Sequence, residues 1–104
     1  MVAIDPDIQK SLDRFIQEIK KDLQLEAVYL YGSYARGKAR SWSDIDIAVV
    51  ARNLPNDVFD ERVRLLTLAA EIDDRLEPHP FRLENFDETD PIVHEILRTG
   101  IRVI

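Results

Sequence analysis

The stretch YGSYARGKARSWSDIDIAVV, residues 31–50, decides how this chain folds. In its second half Asp44 and Asp46 alternate with Ile45, Ile47 and Val49. That is the period-2 pattern of a strand with one apolar face, and it predicts a strand over residues 44–50. Just upstream, LEAVYLY (residues 25–31) is short, aromatic and β-branched, which predicts a strand that stops at Gly32. Residues 33–37 then fit a single helical turn between the two strands.

Working outward, residues 5 to about 23 predict an amphipathic helix. Asp5 is placed to cap it, Pro6 suits the first helical position, and Ile8, Leu12, Phe15, Ile16, Ile19 and Leu23 form one stripe. After a turn at residues 53–56 containing Pro55, a second helix is expected to run to about residue 75. Val58, Phe59, Val63, Leu66, Ala70 and Ile72 are its expected buried face. Residues 76–81 predict a third strand, and Asp90-Pro91 opens a last helix to about residue 99. Gly100 stands where a C-terminal cap is expected, and residues 101–104 can add a short edge strand. The expected fold class is α/β, a small mixed β-sheet with flanking helices, as a single domain over residues 1–104.

Composition narrows the classes further. A 104-residue chain with 45% hydrophobic residues is globular, and no apolar run approaches the ~20 residues needed to span a bilayer. MVAIDPDIQK has no basic segment followed by an apolar one, so no secretion signal is expected and the predicted location is cytoplasmic. Zero cysteines exclude disulfides and thiolate metal sites. The net charge of −6 argues against a protein that coats nucleic acid. Yet Arg36, Lys38 and Arg40 form a basic cluster directly before Asp44 and Asp46, which suits a metal–phosphate ligand.

The chemistry concentrates there. Gly32-Ser33 follows a strand and precedes a turn, where free backbone N–H groups favour an anion. Glycine admits a phosphate close to the backbone, the Ser33 hydroxyl adds a donor, and Arg36 offers a forked one. Asp44 and Asp46, two apart on a strand, point the same way ~6.5 Å apart along it. As pure structure such a pair is costly, because each charge raises the other's pKa; a divalent cation such as Mg²⁺ removes the cost. The plainer reading makes Ser43 and Asp44 a loop end and Asp46 a solvated edge residue.

Together, Gly32-Ser33, Ala35-Arg36-Gly37 and Ser43-Asp44-Ile45-Asp46-Ile47 resemble the signature of the polymerase-beta-like nucleotidyltransferase superfamily, and within it the minimal nucleotidyltransferases of bacteria and archaea. The resemblance implies a nucleotidyltransferase-like core, a pair of Mg²⁺ ions held at Asp44 and Asp46, and the triphosphate of ATP gripped at Gly32 and Ser33. It also implies a third acid on a later strand. Glu77 in LEPHPF is the best match, although Asp is more usual, and Glu84 in RLENF is the rival. Pro78 and Pro80 remove donors on one side of that strand only, which predicts an edge strand. His79 shares a face with Glu77 and is read as exposed, as a group behind the metal ligands or as an acceptor-side base; His94 is read as surface or packing. Tyr34 and Trp42 are candidates to stack on a base, with Trp42 equally suited to packing the loop.

Larger relatives of this superfamily add a second domain for the acceptor, for which this sequence has no room. Proteins resembling it accompany a small helical HEPN-domain protein as a toxin–antitoxin module and can add AMP to that partner. The expectation is therefore Mg²⁺-dependent transfer of a nucleoside monophosphate, AMP from ATP, to a hydroxyl on a HEPN-domain partner, with homo-oligomers open. The alternative is an antitoxin or binding module that neutralises a partner by complex formation. A third reading, transfer to a small molecule or RNA, finds no acceptor pocket in the sequence.

Overall fold

In the computed structural model, which describes residues 4–37 and 44–104, the chain forms a four-stranded sheet and three helices. Helix α1 (Pro6–Ile19) is capped by the Asp5 carboxylate, which accepts from the Asp7 N–H, with Pro6 at its start. Ile8, Leu12, Phe15, Ile16 and Ile19 are buried along it as expected, and so is Leu23 beyond its end. The helix stops four residues earlier than predicted: residues 20–22 make a looser turn, which still bonds the Leu23 N–H to the Ile19 carbonyl at 2.9 Å.

Strands β1 (Leu25–Tyr31) and β2 (Ile45–Ala51) pair antiparallel, and β3 (Leu76–Arg82) lies parallel to β2. A two-residue strand β4 (Ile101–Arg102) pairs with the other side of β1, giving the order β3-β2-β1-β4. β3 is thus an edge, as its prolines predict. The parallel β2–β3 step needs a crossover, and helix α2 (Phe59–Ile72) supplies it. Val28, Leu30, Ile45, Ile47 and Val49 point from the sheet into one core with α1 and α2. Each of these side chains contributes roughly 1.5–3 kcal/mol by leaving water.

The expected buried face of α2 is borne out at Val58 and Ile72 and corrected at Phe59, Val63, Leu66 and Ala70. Leu65 and Ala69 are buried, with Val58, Leu68 and Ile72 packed against the core, whereas Phe59 is 67% and Val63 47% exposed. Ala70 is exposed as well, and Leu66 half-buried. At 100° per residue the predicted and observed stripes lie about 120° apart, so the helix carries two apolar stripes and only one meets α1. α2 also ends at Ile72, not near residue 75, because Asp73 turns extended at φ −160°.

Helix α3 (Pro91–Thr99) matches its predicted bounds and buries Val93 and Ile96 beside β1. Gly100 does cap it as expected, in an extended conformation at φ −74°. Glycine is needed there for space: a Cβ would press on the Ile96 carbonyl oxygen and lie 3.3 Å from that of Leu30. No helix among the described residues is long and apolar enough to cross a membrane.

Candidate active site

Register places the acids. Ile45, Ile47 and Val49 face the core, so Asp46 points to the opposite face of the sheet. Its neighbour on β1 is Tyr31 and its neighbour on β3 is Glu77. Asp44 stands one residue before β2, where its charge bears on Glu77. The three acids predicted from separate parts of the sequence therefore meet at one end of the sheet. Burial raises the Glu77 pKa; His79 opposes that rise, while the charges of Asp46 and Asp44 add to it. Burial also raises the Tyr31 phenol, reinforced by Asp46 and Glu77 and partly offset by Arg62.

The turn at residues 32–37 closes over this group. Gly32 takes φ +75° and Gly37 φ +70°, the left-handed region that glycine enters without strain. The Arg36 N–H bonds the Gly32 carbonyl at 3.2 Å and the Gly37 N–H that of Tyr34 at 3.3 Å, so the expected helical turn forms. A Cβ on Gly32 would collide with an Asp46 carboxylate oxygen and come within 3.2 Å of its carboxyl carbon. The Gly32 turn and the acid strand are thus in direct contact. Beside them lies an open pocket of about 590 Å³ lined by Tyr31, Gly32, Arg36, Pro91, Ile92 and Glu95. Across it Arg36 pairs with Glu95 of α3 at 3.6 Å.

Glu84 is not brought to this place. It sits in a single 3₁₀ turn (Leu83–Asn85) beyond β3 and pairs with Arg82 at 3.1 Å. His94 is exposed on α3, and Tyr34 packs partly buried against the core. Lys38, Arg40, Trp42 and Ser43 lie outside the described residues. His79, left aside by sequence reasoning as a ligand, stands beside two of the acids. Its Nε2 is 3.8 Å from Asp46 and 3.8 Å from Glu77. One donor atom from each of the three residues fits within a 4.8 Å cluster. The available signal was its period-2 spacing from Glu77; what the sequence does not show is that β3 lies beside β2.

The donor set suits a hard divalent cation, because a positive ion among these carboxylates offsets the repulsion of their like charges. A sheet with acids at one end and a glycine turn against them defines a phosphoryl- or nucleotidyl-transfer site. The chain belongs to the family described as Polymerase beta, Nucleotidyltransferase, whose profile matches residues 13–104. A candidate protein adenylyltransferase of Methanocaldococcus jannaschii is 34% identical, the match covering 89% of this chain and 68% of that protein. A crystal structure of a candidate nucleotidyltransferase from Sulfolobus solfataricus superposes with a TM-score of 0.66 at 25% identity, covering 92% of this chain and 80% of the other. A further match shares the fold, with a TM-score of 0.58 at 21% identity over 92% of this chain and 68% of the other. It comes from the complex of a tri-AMPylated Shewanella oneidensis HEPN toxin with its MNT antitoxin.

Proposed function

We propose that this nucleotidyltransferase moves AMP from ATP onto a hydroxyl of a partner protein, a HEPN-domain protein being the first candidate, in the cytoplasm. The observation that carries the reading is the register that sets Asp46 beside Glu77 under the Gly32 turn. The adenylyltransferase name of the archaeal relative supports AMP as the group moved. The toxin–antitoxin complex among the structural neighbours supports the partner.

In this reading Asp44, Asp46 and Glu77 hold divalent cations, Mg²⁺ in the simplest case. When bound, these ions screen the triphosphate and stabilise charge on the attacking and leaving oxygens. Backbone N–H groups of the Gly32 turn and the Ser33 hydroxyl hold the phosphates. Arg36 reaches the same phosphates by exchanging its exposed pairing with Glu95, a contact worth at most about 1 kcal/mol. The acceptor oxygen bonds to the α-phosphorus, the bond from that phosphorus to the bridging oxygen breaks, and pyrophosphate leaves with the electron pair. Glu77 takes the acceptor proton.

The test is to incubate the protein with Mg²⁺, each labelled nucleoside triphosphate in turn and its genomic neighbour's product. The labelled species is then identified by mass. A label that persists in Asp44→Asn or Asp46→Asn sinks the proposal. A binding module that neutralises its partner by complex formation is the second reading, supported by the antitoxin role of the structural neighbour. It predicts co-purification of the partner that survives Asp44→Asn with no AMP transferred.

A further inference from the structure

We propose that His79 is a metal ligand in its own right. With Asp46 and Glu77 it forms a mixed nitrogen–oxygen site that takes a first-row transition cation of the Mn²⁺ type in preference to Mg²⁺. The inference rests on the reading of Asp46 and Glu77 as metal-holding residues, and extends it to the ion selected.

The geometry is that of donors converging on a common point. The His79 Nε2 stands 3.8 Å from Asp46 Oδ1 and 3.8 Å from Glu77 Oε1. Nitrogen–oxygen hydrogen bonds span about 2.7–3.2 Å, so the imidazole is bonded to neither acid. An ion ~2.1 Å from both a nitrogen and an oxygen sets the two donors ~3.0–3.8 Å apart, for angles between ~90° and ~130°. The observed separations sit at the open end of that span, and both are equal. A histidine serving as an ion-pair partner would instead close onto one carboxylate.

The sequence holds the ring there by several means. His79 follows Glu77 by two residues on one strand, so both side chains leave the same face. Its neighbour across β2 is Ala48, whose methyl group leaves room for the imidazole to lean toward Asp46. The Tyr31 ring walls the site, 6.0 Å away and inclined at 57°. Pro78 and Pro80 fix the backbone on both sides of His79, which limits how far the ring can swing.

Imidazole is where the selectivity enters. Mg²⁺ prefers oxygen donors and keeps its waters, whereas first-row transition ions, Mn²⁺ the least of them, accept an imidazole nitrogen more readily. Three carboxylates alone give no such preference. Replacing part of that set by His79 tilts the site toward the transition series.

The experiment uses the intact chain, alone and with a non-hydrolysable ATP analogue. MnCl₂ and MgCl₂ are titrated by calorimetry, and ZnCl₂, a diamagnetic probe, is followed by ¹⁵N resonances of the imidazoles. The chain has two histidines, so exposed His94 is an internal control. The Nε2 of His79 is expected to shift on Zn²⁺ addition while His94 does not. His79→Ala is expected to weaken Mn²⁺ about tenfold or more and Mg²⁺ less than about threefold. His79→Gln keeps size and polarity, and should restore the fold without restoring the Mn²⁺ preference. If His79→Ala fails to fold by circular dichroism, His79→Gln and the wild-type resonances decide. Saturable Mn²⁺ binding lost in Asp46→Asn, with an unmoved His79 resonance and an unchanged Mn²⁺ to Mg²⁺ ratio in the His79 variants, overturns the inference and leaves the nucleotidyl-transfer reading standing. No saturable binding of either ion to the wild-type chain, with or without the analogue, overturns both.

Discussion

Gly32 is the residue on which the site turns. Its φ of +75° and its contact with the Asp46 carboxylate are two separate demands, and any side chain fails both. Gly32→Ala should therefore lower nucleotidyl transfer by about 100-fold or more and cost roughly 1–3 kcal/mol of stability. Pyrophosphate release and thermal melting would check the two effects; a variant with near-normal turnover would remove the turn from the mechanism. Asp73 shows a different residue-scale device. Its carboxylate accepts from the Arg75 backbone at 3.0 Å and guanidinium at 2.8 Å, and from the Ser11 hydroxyl of α1 at 2.9 Å. The Arg75 hydrogen bond does most to hold its pKa down, to about 2 from an ordinary 3.8. A depressed acid stabilises the fold above its unfolded pKa and loses that contribution as pH falls through the folded value. Stability should thus decline from near pH 4 toward pH 2. Asp73→Asn should remove about 1–3 kcal/mol at neutral pH and flatten that acid limb in denaturant titrations. Equal acid limbs in both proteins would refute the assignment.

Among the elements, α2 is where packing overrules periodicity. Leu65→Ala should cost about 2–5 kcal/mol, whereas Phe59→Ser on the outward stripe should change stability by no more than about 0.5 kcal/mol. Urea melts of the two variants would separate them, and the reverse order would restore the face expected from sequence. The sequence could not choose, because Phe59, Val63, Leu66 and Ala70 make as regular a stripe as Leu65, Ala69 and Ile72. The choice depends on which side α1 covers, a fact about two helices and not one. By contrast β1 and α3 were legible to the residue, since Gly32 ends the first and Asp90-Pro91 opens the second. β3 was legible as an edge through its prolines, whose missing donors lie two residues apart. Glu77 was therefore traceable, but its approach to Asp46 and that of His79 follow from parallel register, which no local pattern encodes. The same prolines guard the edge. Pro78→Thr with Pro80→Thr restores two outward donors and should promote edge-to-edge association, visible by light scattering at high concentration. A strictly unchanged mass would show that the sheet edge is protected by something else.

For the molecule as a whole, the site is a local cost carried by a well-packed core. Asp44, Asp46 and Glu77 gather like charges at one sheet end of a chain whose net charge is −6. Burial and mutual repulsion make that end less stable without a cation than with one. Two opposed changes should follow from a single substitution. Asp46→Asn removes one of the charges, so the metal-free protein should gain on the order of 1 kcal/mol. For a domain near 100 residues that corresponds to a rise of roughly 4–8 °C in Tm. The wild-type chain, in turn, should be stabilised by divalent cation through mass action, by about 2.7 kcal/mol at a concentration 100 times its Kd. Chelation should reverse that gain, and Asp46→Asn should abolish it. Thermal melts of both proteins with chelator, Mg²⁺ and Mn²⁺ would show the two curves crossing: variant above wild type without metal, below it with metal saturating. If the wild-type midpoint ignores the cation, the acid cluster is a structural feature and not a site held in readiness for one.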